Sequence, residues 1–216
     1  MALYAKQPES KSEPIPPDTY QAICYGVVDI GTQHSDLYPD VDQRKVVVLW
    51  ELPDLRVEFE KDGKKYDLPR AVSKQYTLSL GEKANLYKDL LSWRGVPFTP
   101  EELDKFDVFN VLGANCQLTI VNEPSKDGKR IKSKITSVTK LMKGLLKKEP
   151  ERAKVTYSIE ENGIDTLPPE LPDWLKKEIM KSKEYQAIMN ARSSGKFDPT
   201  DDEPPATDPI DDTIPF

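Results

Sequence analysis

The chain has 216 residues, 37% of them apolar (aromatics and Cys included) and 31% charged, which suits one domain of sizeable core with appendages and is too polar for the whole length to pack. Its formal charge of −6 is unevenly spread: residues 197–216 hold seven acids and no base, leaving a body of 30 acids and 31 bases at +1, inside which residues 126–148 carry nine bases and one acid. No stretch approaches the roughly 18 uninterrupted apolar residues of a membrane span, and the opening MALYAKQPES lacks an apolar signal core, so the expectation is a soluble, unexported protein without membrane association.

Residues 1–17, with Pro8, Pro14, Pro16 and Pro17, read as an extended arm. TYQAICYGVVDIG (19–31) and QRKVVVLWEL (43–52) are rich in β-branched and aromatic residues and predict two strands. LRVEFEKDGKKYDL (55–68) alternates about Asp62-Gly63, a strong hairpin signal, and predicts a protruding β-ribbon. RAVSKQYTLSL (70–80) follows as a third core strand. Ser79 and Glu82 have the spacing of a capping box for a helix on which Leu86, Leu90 and Trp93 share a face and which Gly95 ends. Thr99 caps a second, shorter helix, with Pro100 at its first position and Glu102 closing the box. GANCQLTIV (113–121), a turn at 126–129 and KRIKSKITSVTKL (129–141) supply the fourth and fifth strands.

Three strands, a helical connection and a two-stranded hairpin is the element order of a five-stranded OB barrel. The expected fold is therefore mainly β: an OB-fold barrel over residues 18–149 with an inserted ribbon and a helical connection between strands three and four. An accessory segment, 150–192, carries a helix with Leu175, Ile179, Gln186 and Met189 along one face, packed on the barrel or tethered to it. Residues 193–216, rich in Pro and Asp and without periodicity, read as a disordered acidic tail.

Cys24 and Cys116 lie far apart in strand-like sequence and read as reduced core residues, and His34 is the single histidine. Neither G-x-x-x-x-G-K-[ST] nor G-x-G-x-x-G occurs, so the expectation is a protein that is not an enzyme and needs no metal or cofactor.

A same-sign cluster as dense as 126–148 points to a polyanion-binding surface. Alternation in the fifth strand places Arg130, Lys132 and Lys134 on one face and Ile131 and Ile135 on the other, so that the bases, with Lys129 in the turn before them, line a groove while the isoleucines fill the barrel. Arg44, Lys45, Arg70 and Lys74 flank the second and third strands and either extend this track or are ordinary surface charges. Single strands also need aromatic platforms, and Tyr25, Trp50 and Tyr76 stand one in each of the first three strands. Tyr76 shares a face with Lys74. Trp50, within VVVLW, has apolar neighbours of both parities, and its facing is open.

The last residues, Asp211-Asp212-Thr213-Ile214-Pro215-Phe216, resemble the acidic tail tip of bacterial single-stranded DNA-binding proteins. Aspartates steer toward a basic rim, Pro215 limits the freedom lost on docking, and Phe216 offers a ring together with a terminal carboxylate. VVVLWELPD, SKQYTLSLGEKANLYKDLLSWRG and VLGANCQLTIV, followed by the KDGK turn, resemble the single-stranded DNA-binding proteins of tailed bacteriophages over about residues 17–141. The acidic ribbon around 55–62 and the region 150–192 depart from the bacterial tetrameric proteins, so no oligomeric state follows. The resemblance implies a protein of the host cell cytoplasm that coats single-stranded DNA without sequence specificity during phage replication and recombination; self-association on the DNA is left open by it. Asp211, Asp212, Ile214, Pro215 and Phe216 would recruit replication or recombination proteins. The alternatives are a virion or adaptor module that uses an OB-like barrel to bind protein, and a metal-dependent nuclease, for which the acids are poorly placed, away from the ends of apolar strands.

Overall fold

The computed structural model describes residues 13–35, 38–61, 63–125, 128 and 130–194. The fold is mainly β. Five strands, β1 (Asp18–Ser35), β2 (Tyr38–Lys61), β3 (Lys64–Thr77), β4 (Asn115–Pro124) and β5 (Ile131–Lys140), form an antiparallel sheet in the order β3-β2-β1-β4-β5. A short β6 (Val155–Tyr157) adds in parallel to Gly26–Val28 of β1. β1 is long enough to serve two neighbours, residues 18–23 pairing with β4 and residues 23–35 with β2.

The run VVVLW has apolar side chains of both parities because both faces of β2 are covered. Val46, Val48 and Trp50 turn inward to a core shared with Cys24, Leu118, Ile120, and Leu86, Leu90 and Trp93 of α1 (Asn85–Arg94). Val47 and Leu49 turn to the opposite face, where Tyr25, Val28 and Ile30 of β1 join Tyr157, Leu171, Leu175 and Ile179 in a second core. The region 150–193 is thus built onto the sheet. Gly26 makes room for it, since a Cβ there would stand 2.8 Å from both Leu49 Cδ1 and Val155 Cγ1. Gly31 has φ +69°, and a Cβ would meet Ser182 Cβ at 2.6 Å.

Polar contacts complete the attachment. The buried Glu51 carboxylate accepts the backbone N–H groups of Glu151 (2.8 Å) and Arg152 (3.0 Å). Thr32 donates its N–H and its hydroxyl to Glu184, at 2.8 and 2.5 Å. The Gln33 amide donates to Glu178 O at 3.0 Å.

The second and third strands and the ribbon are continuous. β2 and β3 pass a register irregularity between Leu52 and Arg56 and stay paired out to Lys61 and Lys64, so the ribbon is their extension. Two helix expectations need correction. α1 begins at Asn85 behind Ala84, without a side-chain cap, and Ser79 Oγ instead accepts the Gly81 N–H at 3.2 Å in a local turn. Ser79 is used by that turn and not by a capping box, a common competitor of helix starts for serine. The long C-terminal helix is two, α4 (Asp173–Met180) and α5 (Lys183–Ser193), broken where Ser182 donates to Ile179 O and accepts the Tyr185 N–H. Leu175 and Ile179 are buried as expected, but the break rotates Gln186 and Met189 outward, and Tyr185 and Ile188 make the contact. The short α2 (Pro100–Asp104) has the expected box, Thr99 Oγ1 accepting the Glu102 N–H and the Glu102 carboxylate accepting the Thr99 N–H. α3 (Ile159–Asn162) is a single turn. No helix among the described residues is long and apolar enough to cross a membrane.

Cys24 and Cys116 are free and buried. Burial pushes the Cys24 thiol up to about 12 and the Cys116 thiol well above its ordinary value. A thiol that is neither ionised nor accessible is inert. Ellman's reagent at mildly alkaline pH should therefore label neither cysteine in the native protein and both after unfolding in urea; rapid native labelling would contradict this packing.

Candidate nucleic-acid interface

β3 and β5 are the two edges of the sheet order, and a groove of about 740 Å³ lies between them. Its cations are Arg70 from β3 and Arg130 and Lys132 from the start of β5. Among the described residues none of the three pairs with a carboxylate; Arg70 donates to the backbone carbonyl of Glu13, which leaves its charge uncompensated. Ile15, Val72, Ile120 and Ile135 supply the apolar part of the lining.

The arm contributes to this site. Ile15 is 4% exposed and sits in the inner core, its N–H donated to Ser133 Oγ at 2.8 Å. With Arg70 held to Glu13, residues 13–15 bridge β3 to β5. The arm was expected to be extended rather than packed; residues 13–15 are extended, but the burial of Ile15 corrects the second half of that expectation, because the unpaired strand edges beside it, which the sequence does not display, take it up.

Alternation in β5 holds only in part. Ile135 is buried, whereas Ile131 is 60% exposed, because it is the first residue of β5, four residues before Ile135 and beyond the core, at the rim of the groove. It is an apolar surface for a ligand and not core. Lys134 points outward, where its ammonium is bound to both oxygens of Glu123 at 3.0 Å.

The other expected residues separate into three groups. Trp50 and Tyr76 are corrections: neither can stack on a base. Trp50 is fully buried with its ring 5.7 Å from that of Trp93. Tyr76, 4% exposed, donates its hydroxyl to Asp89 of α1 at 2.8 Å, and burial, reinforced by the Asp89 charge, raises its pKa. Tyr25 is likewise buried, in the second core. Arg44 and Lys74 are corrections of a different kind, cations already neutralised. Arg44 binds Asp29 at 2.6 Å and Glu160 at 2.5 Å, bonds that raise its pKa, Asp29 foremost. Lys74 binds Asp89 at 2.6 Å. Lys45 keeps its place: with Lys83 it lines a cleft of about 360 Å³ beside the first residues of α1. That helix end has no side-chain cap and no acid in its first turn, so its free N–H groups favour an anion. Lys83 was not singled out from the sequence, since one lysine before a helix carries no signal until the fold sets it opposite Lys45. Lys129 and Asp211, Asp212, Ile214, Pro215 and Phe216 lie outside the described residues.

Exposed aromatic surface is scarce among the described residues. Tyr66, 38% exposed on the ribbon, shares a shallow depression with Glu58, Glu60, Asp67 and Lys65, a setting of net negative charge that disfavours phosphate, and Trp174 belongs to α4. The interface is therefore cationic and aliphatic. No family model matches the chain, and no curated protein is similar to it.

Proposed function

We propose that the protein binds single-stranded DNA without sequence preference, the role that its resemblance to phage single-stranded DNA-binding proteins implies, and that it is not an enzyme. The observation that carries this reading is the groove between β3 and β5, where Arg70, Arg130 and Lys132 converge beside exposed Ile131; Glu13 also lines it, but none of the three cations is in an ion pair among the described residues. Cations so placed contact phosphates, which are the same in every sequence, and an aliphatic rim favours bases without reading their edges.

The strand order supports an OB-type reading. Joining β3 to β5 would close β3-β2-β1-β4-β5 into the ring of an OB barrel, and residues 13–15 occupy that seam. Lys45 and Lys83 at the uncapped start of α1 extend the track along β3, about 23 Å from Arg70 at ~3.3 Å per strand residue. The acidic segment 197–216 suits recruitment of replication or recombination proteins with basic, apolar pockets.

A mobility-shift titration of the full chain with labelled oligo-dT and with a duplex of equal length, at low salt, tests the proposal. A shift of oligo-dT at much lower protein concentration than of duplex is expected. No shift of either probe would return the chain to the class of protein-binding modules.

A further inference from the structure

The basic run 126–148 is divided between two hollows. Arg130 and Lys132 enter the groove at the start of β5, and Lys140, Lys143 and Lys147 line a pocket of about 650 Å³ where the strand ends. The nearest lining residues of the two, Ile135 and Lys140, stand five strand residues apart, about 17 Å at ~3.3 Å each. Thr136, Ser137, Val138 and Thr139 between them carry no charge, so they do not repel a phosphate.

The end of α1 and an ordered loop build this pocket. Gly95 closes α1 at φ +68° and leaves room for the Lys140 stem, which a Cβ would meet at 2.9 Å. Lys140 thus lies at the negative end of the helix dipole. The loop that follows is pinned at its far side: Asn115 donates its amide to Lys148 O at 2.8 Å and accepts the Lys148 N–H at 2.9 Å, and the Gln21 amide donates to Leu146 O at 2.8 Å. On it Met142 is 61% and Leu145 44% exposed, over a floor with half-buried Phe106 and buried Val111. Apolar side chains held open to solvent on an ordered backbone mark a surface that a ligand covers.

The charges around the floor select that ligand. Arg94 is already used, its guanidinium 4.2 Å from the Phe98 ring centre and its Nη2 on Glu102 at 2.5 Å. Glu149 at the rim is taken by Lys154 at 3.2 Å. Lys143 and Lys147 are exposed and in no ion pair among the described residues. Free cations beside flexible apolar side chains fit a chain of phosphates that carries bases: the lysines take phosphates in any sequence, and a thioether adapts to any base and contacts its ring favourably. An acidic protein segment answers the charge of this pocket alone, whereas a single strand answers both hollows at once.

We propose that the pocket at the end of β5 is a second contact on the path of single-stranded DNA, with phosphates on Lys143 and Lys147 and a base against Met142 and Leu145. This rests on the reading of the protein as a single-strand binder and adds the course of the strand beyond the groove. One end of a strand seated there follows β3 toward Lys45 and Lys83, and the other follows β5. About five nucleotides bridge the interval at a stacked rise of ~3.4 Å each, and fewer when the strand is stretched.

The test uses the full chain with isotopically labelled methionine methyl groups and a dT 20-mer at low salt. The Met142 signal, identified by its loss in Met142→Leu, should shift on saturation, while Met180 of α4 and Met189 of α5 stay in place. Lys143→Gln with Lys147→Gln should weaken binding about 60-fold near 50 mM salt and flatten the log–log salt dependence by about 1.4, two contacts at about 0.7 each. Unchanged Met180 and Met189 signals check its folding. Lys64→Gln with Lys177→Gln removes the same charge from exposed positions elsewhere and should weaken binding less than about threefold. If the native chain does not bind the 20-mer, this proposal falls together with the function it rests on. If it binds and Met142 stays silent, or the Lys143 and Lys147 pair loses no more than the control pair, the proposal alone is overturned, the groove stands, and the pocket passes to an acidic protein segment.

Discussion

Replacing Arg70, Arg130 and Lys132 together by alanine should weaken oligo-dT binding by about 500-fold near 50 mM salt and only about tenfold near 0.3 M. The figures follow from counterion release, taking a slope of about −0.7 per phosphate contact on single strands and a negligible electrostatic contribution near 1 M. Three lost contacts flatten the log–log salt dependence by about 2. The three residues can be removed without collapsing the fold, because none is held by a carboxylate among the described residues and Arg130 and Lys132 are exposed. Arg44→Ala and Lys74→Ala are the informative controls. Each cation already sits on an acid, Asp29 or Asp89, so the salt slope should stay unchanged even though stability falls. A titration series at several salt concentrations reads both quantities, and an unaltered slope in the triple variant would remove the groove as the DNA path.

How these residues divide could not be read along the chain. The alternation that placed Arg130, Lys132 and Lys134 together is a local property of a strand, and it held only in part: Arg130 and Lys132 line the groove, Lys134 does not. Which of them keeps a free charge depends on cross-strand and cross-element neighbours: Glu123 for Lys134, Asp89 for Lys74, Asp29 and Glu160 for Arg44. None of those acids stands at a spacing that marks it as a partner. The split of the basic run had the same origin, since Lys140 and Lys143 leave the strand where β5 ends and turn toward α1. Features fixed by neighbouring residues were visible, among them the ribbon about Asp62-Gly63, the Thr99 box and the face of Leu86, Leu90 and Trp93. The second core was not. Val47 and Leu49 find their cover in residues 155–179, far downstream, and a two-sided apolar strand looks the same whichever face its aromatic takes.

Trp50 is where that ambiguity has the largest energetic consequence. Its ring turned to the inner core, fully buried against Trp93, so Trp50→Ala should destabilise the protein by about 3–5 kcal/mol through lost transfer free energy and the cavity left behind. That is a large share of the roughly 5–15 kcal/mol by which domains are stable, and urea denaturation would show it as a lowered midpoint. The indole Nε1 is buried without an acceptor of good geometry, so Trp50→Phe removes an unsatisfied donor as well as volume and should cost less than Trp50→Ala. DNA binding separates a core tryptophan from a platform. Loss of a base-stacking ring costs about 1–3 kcal/mol per base, some 5- to 150-fold in affinity. Trp50→Leu, which keeps the site apolar but cannot stack, should bind oligo-dT as the native chain does wherever it remains folded. A large loss of affinity in folded Trp50→Leu, without loss in Leu118→Ala as a second core variant, would put the ring on the DNA and the strand's facing in error.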